Sequence, residues 1–382
     1  MSADERAAEK IALLFEENFR EFSELGASVS IWREGREIVS LAGGFQDRER
    51  TEPWHADTMV LVWSATKGPA SACLLHACQK HELSLTTCVA EIWPEFAQAG
   101  KERVTLEEVL SHRAGLPALS REVSVTDHSA VAAALAEETP AWTPGMAHGY
   151  HPRTFGFLLD ELVRRIAGVP LGSYWRTELA EPLGIDFWIG LPEERLTEPA
   201  NVFPAKISPP KGDAFYSAFL TPGSLTSRSF ASPRGLHSVA ALSSPEVRAA
   251  SFPAFGGIGT ARALAKFYAL LANGGTLDNL QLFDERTIGW MSTTLAQGPD
   301  RVLLMDTAFS AGFMRDPQDA AGKKLRQNFG PSSSAFGHPG AGGSFAFADP
   351  EHRLSFAYVM NQMEPGVLPG PKALRMVHAL YS

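Results

Sequence analysis

Three cysteines in 382 residues leave no material for a disulfide framework. Cys73 and Cys78 fall on one helical stretch, with Cα atoms about 8 Å apart by helix geometry, and a disulfide needs a closer approach. Together with Cys88 they match no zinc-ligand spacing. They read as small buried apolar residues in a reducing compartment. Basic residues are also in deficit: 34 Lys and Arg against 43 Asp and Glu give a net charge of −9. That balance argues against a nucleic-acid surface, which needs clustered cations. No apolar run reaches the length of a membrane span. The opening Met1-Ser-Ala-Asp-Glu-Arg6 has no basic stretch followed by an apolar one, so no signal peptide is read and the cytoplasm is the expected location. Several catalytic signatures are missing. The absence of G-x-S-x-G argues against an α/β-hydrolase, and neither H-E-x-x-H nor a Walker loop occurs. His148-Gly-Tyr-His151 holds two imidazoles with no matching third ligand, and Gly257-Ile-Gly259-Thr-Ala-Arg262 is a truncated dinucleotide loop lacking its last glycine. No metal and no cofactor are expected.

What is present is ordinary for a globular enzyme: 45% hydrophobic and 20% charged residues. The length suits two domains or one two-lobed unit. Residues 4 to 23 have an amphipathic helical period. Ala27 to Trp32 and Glu37 to Ala42 alternate on either side of a Gly-containing turn, as in a β-hairpin. The other end of the chain has a similar pattern, with strand-like runs at Gly343 to Asp349 and Arg353 to Asn361 and a closing helix from Pro371 to Tyr381. Leu106 to Leu110, Arg153 to Ala167 and Ala261 to Ala272 are helical by period, the last stopped by Asn273-Gly274-Gly275. Residues 199 to 255 carry eight prolines and little periodicity and read as a long loop region. The expected architecture is α+β: an antiparallel sheet built by both termini with flanking helices, and a mainly helical lobe inserted between them. The boundaries are 1–68 and 256–382 for the α/β part and 69–255 for the lobe, with the active site between.

The chemistry is concentrated in Ser64-Ala65-Thr66-Lys67. It opens a helix-like segment, Thr66 to His81, whose apolar positions at Ala70, Cys73, Leu74, Ala77 and Cys78 follow a helical period. Residues three apart share a helix face, so Lys67 can reach the Ser64 hydroxyl. A serine becomes a nucleophile when a base takes its proton, and a neutral lysine can be that base. Burial favours the neutral amine. An N-cap serine followed by a solvated lysine would give the same four letters. A second S-x-x-K, Ser208-Pro209-Pro210-Lys211, has two prolines that forbid a regular helical turn.

Two further segments can complete a site. Tyr150 lies in Gly145-Met-Ala-His-Gly-Tyr-His151-Pro152, just before the helix from Arg153. Beside an ammonium its pKa would fall, and a tyrosinate there would be a competent base; a packing tyrosine with a bonded hydroxyl is the alternative. Gly337-His338-Pro339-Gly340-Ala341-Gly342-Gly343 leads into a strand. A proline in a strand implies a sheet edge, and the glycines permit close approach of a ligand; a glycine-rich turn is the alternative.

Taken in order, the three segments resemble the serine β-lactamase and penicillin-binding-protein superfamily, and within it the class C β-lactamase-like esterases called family VIII carboxylesterases. The resemblance runs from about residue 10 to 380. Ser64-Ala-Thr-Lys67 matches S-x-x-K, Tyr150-His-Pro152 stands where Y-x-N is expected, and His338-Pro-Gly340 stands where K-T-G is expected. Leu110-Ser-His-Arg-Ala-Gly-Leu116, Glu181-Pro-Leu-Gly-Ile185 and Gly256-Gly-Ile-Gly-Thr-Ala261 add to it. The resemblance implies a β-lactamase/transpeptidase-like fold and an acyl-enzyme on Ser64, with Lys67 and Tyr150 as general base and acid. It also implies an oxyanion hole from the backbone N–H groups of Ser64 and Ala341, with His338 and Gly340 in the substrate-binding segment. Pro152 in place of asparagine and His338 in place of lysine weaken the anchoring of a β-lactam and favour neutral, short-chain esters. Restoring a lysine at 338 is expected to favour lactams. The expected partner is therefore a small-molecule ester, with no nucleic acid and no membrane; oligomeric state is not legible. The alternatives are a β-lactamase or D-amino-acid amidase on the same scaffold, or a catalytically silent ligand-binding relative.

Overall fold

The computed structural model describes residues 3–205 and 212–382. Helix α1 (Ala3–Glu21) leads into strands β1 (Gly26–Arg33) and β2 (Arg36–Gly44). The two-residue strand β3 (Val60–Leu61) runs into a 3₁₀ turn, Trp63–Thr66, and then α2 (Lys67–Lys80). The middle of the chain adds α3 (Thr154–Ala167), β4 (Phe187–Ile189) and four short helices, α4 (Ala214–Phe219), α5 (Leu225–Ala231), α6 (Val239–Leu242) and α7 (Pro245–Ala249). Then come β5 (Gly257–Gly259) and α8 (Ala261–Ala272). The remaining strands of the large sheet are β6 (Ala296–Pro299), β7 (Asp306–Phe309), β8 (Met314–Arg315), β9 (Phe336–Pro339), β10 (Phe345–Asp349) and β11 (Leu354–Met360), and α9 (Pro371–Leu380) follows them.

Eight strands form one antiparallel sheet in the order β2-β1-β11-β10-β9-β8-β7-β6, so the two ends of the chain meet at the β1–β11 pairing, where Val29 faces Tyr358. A smaller sheet, β3-β5-β4, ties the approach to α2 to the middle segment. The large sheet is covered on both faces, which is why β11 is buried throughout instead of alternating. Its side chains divide by size. Phe356, Tyr358 and Met360 pack with Phe345 and Phe347 of β10 under α1 and α9, beside Ile11, Phe15, Met376 and Val377. Ala357, Val359, Ala346 and Ala348 face the other way, into the core that holds Leu264 and Ala265 of α8. Small residues on that face let the helix lie close, and the Ser355 hydroxyl donates to the Ala265 carbonyl at 2.7 Å.

Two expectations need correction. Residues 199 to 255 are not one long loop, since α4 to α7 lie within them. Each of these helices begins at a residue whose side chain accepts a backbone N–H: Asp213, Ser224, Ser238 and Ser244. Such caps satisfy donors that a short helix leaves exposed. Pro339 does not mark a sheet edge either, because β9 lies between β10 and β8. The short β8 pairs with β9 only at Gly337, so Pro339, two residues further on, has no ladder bond to lose on that side.

Candidate active site

The turn before α2 sets the site. Val62 donates its N–H to the Gly257 carbonyl at 2.9 Å, and the Thr66 hydroxyl accepts from the Gly257 N–H at 2.8 Å. Between these two ties Trp63 takes a left-handed φ of 52°, a conformation that costs a non-glycine residue about 1–2 kcal/mol. The strain turns the chain sharply and leaves Ser64 half-exposed at the mouth of α2, while Lys67 one turn on is fully buried.

Lys67 Nζ lies 3.3 Å from Ser64 Oγ, 2.9 Å from the Pro152 carbonyl and 2.8 Å from the Ala254 carbonyl. All three partners are neutral. Burial therefore pushes the lysine pKa well below its ordinary value. A neutral amine has two N–H donors and one lone pair, whereas an ammonium has three donors. Nζ donates to both carbonyls; in a neutral amine these would take both donors and leave the lone pair for the Ser64 hydroxyl. Neither carbonyl was visible as a functional group in the sequence. Ala254 comes within reach because Gly156 has no side chain: a Cβ there would lie 2.5 Å from the Ala254 nitrogen.

Tyr150 is buried, and its ring faces Lys67 with Nζ 4.8 Å from the centroid. Burial pushes the phenol up from its ordinary pKa, and the nearby Ser64 side chain only partly offsets this. The fall in the tyrosine pKa expected beside an ammonium is not found: its direction is upward.

Asp300 is a residue that the sequence reading missed. Its buried carboxylate accepts the Tyr150 N–H at 3.1 and 3.0 Å, the Val302 and Leu303 N–H groups at 2.8 Å each, and the Thr307 hydroxyl at 3.1 Å. It fixes the backbone of Tyr150 from 150 positions away in the chain. The nearby histidines are committed to structure. The Leu116 N–H donates to His151 Nε2 at 2.9 Å, which makes Nδ1–H the donor to the Gly149 carbonyl at 2.6 Å.

Ala341 lines the same cavity as Ser64, Trp63, Pro152 and Arg153, a space of about 340 Å³. His338 and Gly340 are buried and do not reach that lining. His338 Nδ1 pairs with its neighbour's carbonyl, Pro339 O, at 2.8 Å, and its ring lies 5.9 Å from that of Tyr150. Burial, with the adjacent Lys67, pushes the imidazole down to about 3. Gly340 is required by packing, since a Cβ would sit 2.1 Å from the Val62 carbonyl. The end of β9 can therefore approach the nucleophile turn only without a side chain there. The second S-x-x-K, Ser208 to Lys211, lies outside the described residues.

The family model described as Beta-lactamase matches residues 15–380. The chain belongs to that family. It is 32% identical over 347 residues to the esterase/beta-lactamase LipL of Mycobacterium tuberculosis, covering 88% of this chain and 77% of the relative. Among solved structures it resembles a family VIII carboxylesterase at 33% identity, with a TM-score of 0.87 over 98% of this chain and 97% of the other. A penicillin-binding-protein homologue from Caulobacter crescentus is similar at 36% identity, with a TM-score of 0.86 and the same coverage. The fold is that of the class C β-lactamase-like serine hydrolases, and the activity that goes with it is hydrolytic, of esterase, β-lactamase or amidase type. Among the described residues no helix is long and apolar enough to cross a membrane.

Proposed function

We propose that the protein is a serine carboxylesterase that works through an acyl-enzyme on Ser64. The observation that carries this reading is the setting of Lys67: its buried Nζ donates to two carbonyls and lies 3.3 Å from Ser64 Oγ, so once neutral it presents its lone pair to that hydroxyl. In the first half-reaction Ser64 Oγ attacks the ester carbonyl while its proton passes to Lys67 Nζ. The tetrahedral oxyanion is held by the Ser64 and Ala341 N–H groups, and each such donor contributes about 3–4 kcal/mol. Collapse expels the alkoxide, which takes the phenolic proton of Tyr150; Tyr150 is reprotonated by the Lys67 ammonium. In the second half-reaction water attacks the acyl-enzyme with the same groups in reverse order, releasing the acid and restoring the Ser64 hydroxyl. The cleft would lie between the lobe of residues 69–255 and the sheet-bearing remainder. The buried free thiols of Cys73 and Cys78 are compatible with a reducing cytoplasm.

An ester is favoured over a lactam because His338, at the position of the lactamase lysine, is neutral and lies behind the cavity lining. A site without a partner for an added polar group discriminates against it by about 10², so kcat/KM for p-nitrophenyl butyrate should exceed that for nitrocefin by about 10²-fold. A fluorophosphonate should label Ser64, and Ser64→Ala should be folded, unlabelled and inactive. Comparable efficiency on ester and lactam would replace this reading with the lactamase one, and a label elsewhere would remove Ser64.

A further inference from the structure

Among the described residues, the cavity beside Ser64 has one formal cation in its lining, Arg153. An arginine at the edge of an acyl-transfer site could anchor a substrate carboxylate, but this one is engaged elsewhere. It is 6% exposed. Its Nη1 donates to the Pro233 carbonyl at 2.7 Å and its Nη2 to the Gly235 carbonyl at 2.6 Å. Its guanidinium lies 5.2 Å from the centre of the Phe255 ring. The two carbonyls flank Arg234, whose own N–H and carbonyl pair with Val123 and Val125 at 2.9 and 2.8 Å. The chain then enters the wall of the cavity: Leu236, Val239 and Leu242, facing Phe219, Phe230 and Phe255. These six side chains are apolar, with the polar Ser227 and His237 beside them in the same lining, and the guanidinium holds the start of the segment that carries three of them.

We propose that Arg153 is a specificity-determining positioning residue. It fixes residues 233–242 as an apolar wall, and the pocket so formed takes an uncharged group the size of an aryl ring or a medium-length alkyl chain. This rests on the esterase reading and names its substrate. Size supports it. At about 30 Å³ per water-sized group, a cavity of about 340 Å³ holds on the order of ten such groups, so a butyryl chain fills less than half of it. The short-chain esters expected from the sequence would bind without using most of the wall.

The test measures p-nitrophenyl esters from acetate to decanoate, together with the anionic p-nitrophenyl hydrogen glutarate, on wild type, Arg153→Gln and Arg153→Lys. Wild-type kcat/KM should rise by up to about fourfold per methylene, the worth of one buried CH₂, to about the octanoate. The glutarate should be poor in all three proteins. Arg153→Gln should raise KM for the octanoate about tenfold and KM for the acetate by less, a split expected when the wall is loosened; Arg153→Lys should fall between. Leu236→Trp, which fills the cavity while keeping the arginine, should shift the optimum to shorter chains. A flat profile beyond butyrate overturns the proposal. So does an Arg153→Gln loss confined to the glutarate, which would make the residue an anion anchor. Failure of the esterase reading itself looks different: no acetate turnover and no phosphonate label on Ser64.

Discussion

Lys67→Met separates the two roles that burial gives this side chain. Methionine matches lysine closely in length and fills the same space, but it can neither accept the Ser64 proton nor donate to the Pro152 and Ala254 carbonyls. Removing a general base typically costs about 10²–10⁴ in rate, and kcat for p-nitrophenyl butyrate should fall by that range. Stability should respond in a pH-dependent way. The two carbonyls lose their partners, at about 1–3 kcal/mol for each buried group left unsatisfied. Opposing this, wild type must hold a desolvated amine whose native pKa is depressed.

The sign follows from proton counting. Below the native pKa both folded and unfolded lysine are protonated, and Lys67 contributes no pH dependence. Between the native pKa and the unfolded value of about 10.4, only the unfolded chain holds the proton, so native stability rises with pH at up to about 1.4 kcal/mol per unit. Above the unfolded value the slope ends. Lys67→Met lacks this contribution. Its stability gap to wild type should therefore be small near neutrality and widen towards pH 10, as read by urea unfolding at pH 7, 8, 9 and 10. A gap constant across that range would mean that Lys67 is charged in the native protein. It could not then be the base. A Lys67→Met protein that kept its activity within tenfold of wild type would exclude the lysine from that role equally.

Tyr150→Phe should lower kcat by about 10²-fold, and Asp300→Asn by a smaller factor, because Asp300 acts only by holding the Tyr150 backbone. In a double-mutant cycle Asp300→Asn should cost almost nothing further once the phenol is gone; additive losses in kcat would detach Asp300 from Tyr150. His338→Lys should not improve lactam turnover relative to esters, contrary to the sequence expectation. A lysine there would be buried beside Lys67 and outside the cavity lining, so thermal melting should show a loss of stability. A gain in nitrocefin turnover without that loss would show that position 338 does reach the substrate.

The elements that were legible are those whose information is local. The α2 period, the hairpin of β1 and β2, the β10–β11 pair and α8 are each fixed by runs of neighbouring residues, and their observed bounds fall within a few positions of those read from the sequence. Helices α4 to α7 were missed because four to seven residues contain too few turns to show a period. Their signal was the capping residues Asp213, Ser224, Ser238 and Ser244, which sit among prolines and serines that also suit a loop. The same limit applies to the site. Ser64 and Lys67 are three apart on one turn and could be paired by eye. Asp300 stands 150 residues from the backbone it holds, and only the fold joins them.

The carbonyls of Pro152 and Ala254 were invisible for a deeper reason, because a backbone acceptor has no letter in the sequence. Yet they decide the chemistry. An S-x-x-K on a solvated helix would keep its lysine protonated, with three donors and no lone pair. Burial alone would lower the pKa but leave the amine's donors to compete for the serine oxygen. Burial together with two fixed acceptors, 85 and 187 residues away, would orient a neutral amine so that its open position meets Ser64. This also accounts for Pro152. In the Y-x-N pattern its position serves through a side-chain amide, whereas here the side chain has no polar group and the main-chain oxygen has become the functional atom. Replacement of that proline by asparagine would therefore leave the Lys67 acceptor in place while adding an amide at the cavity wall. Substrate preference at position 152 can thus change without disturbing the base.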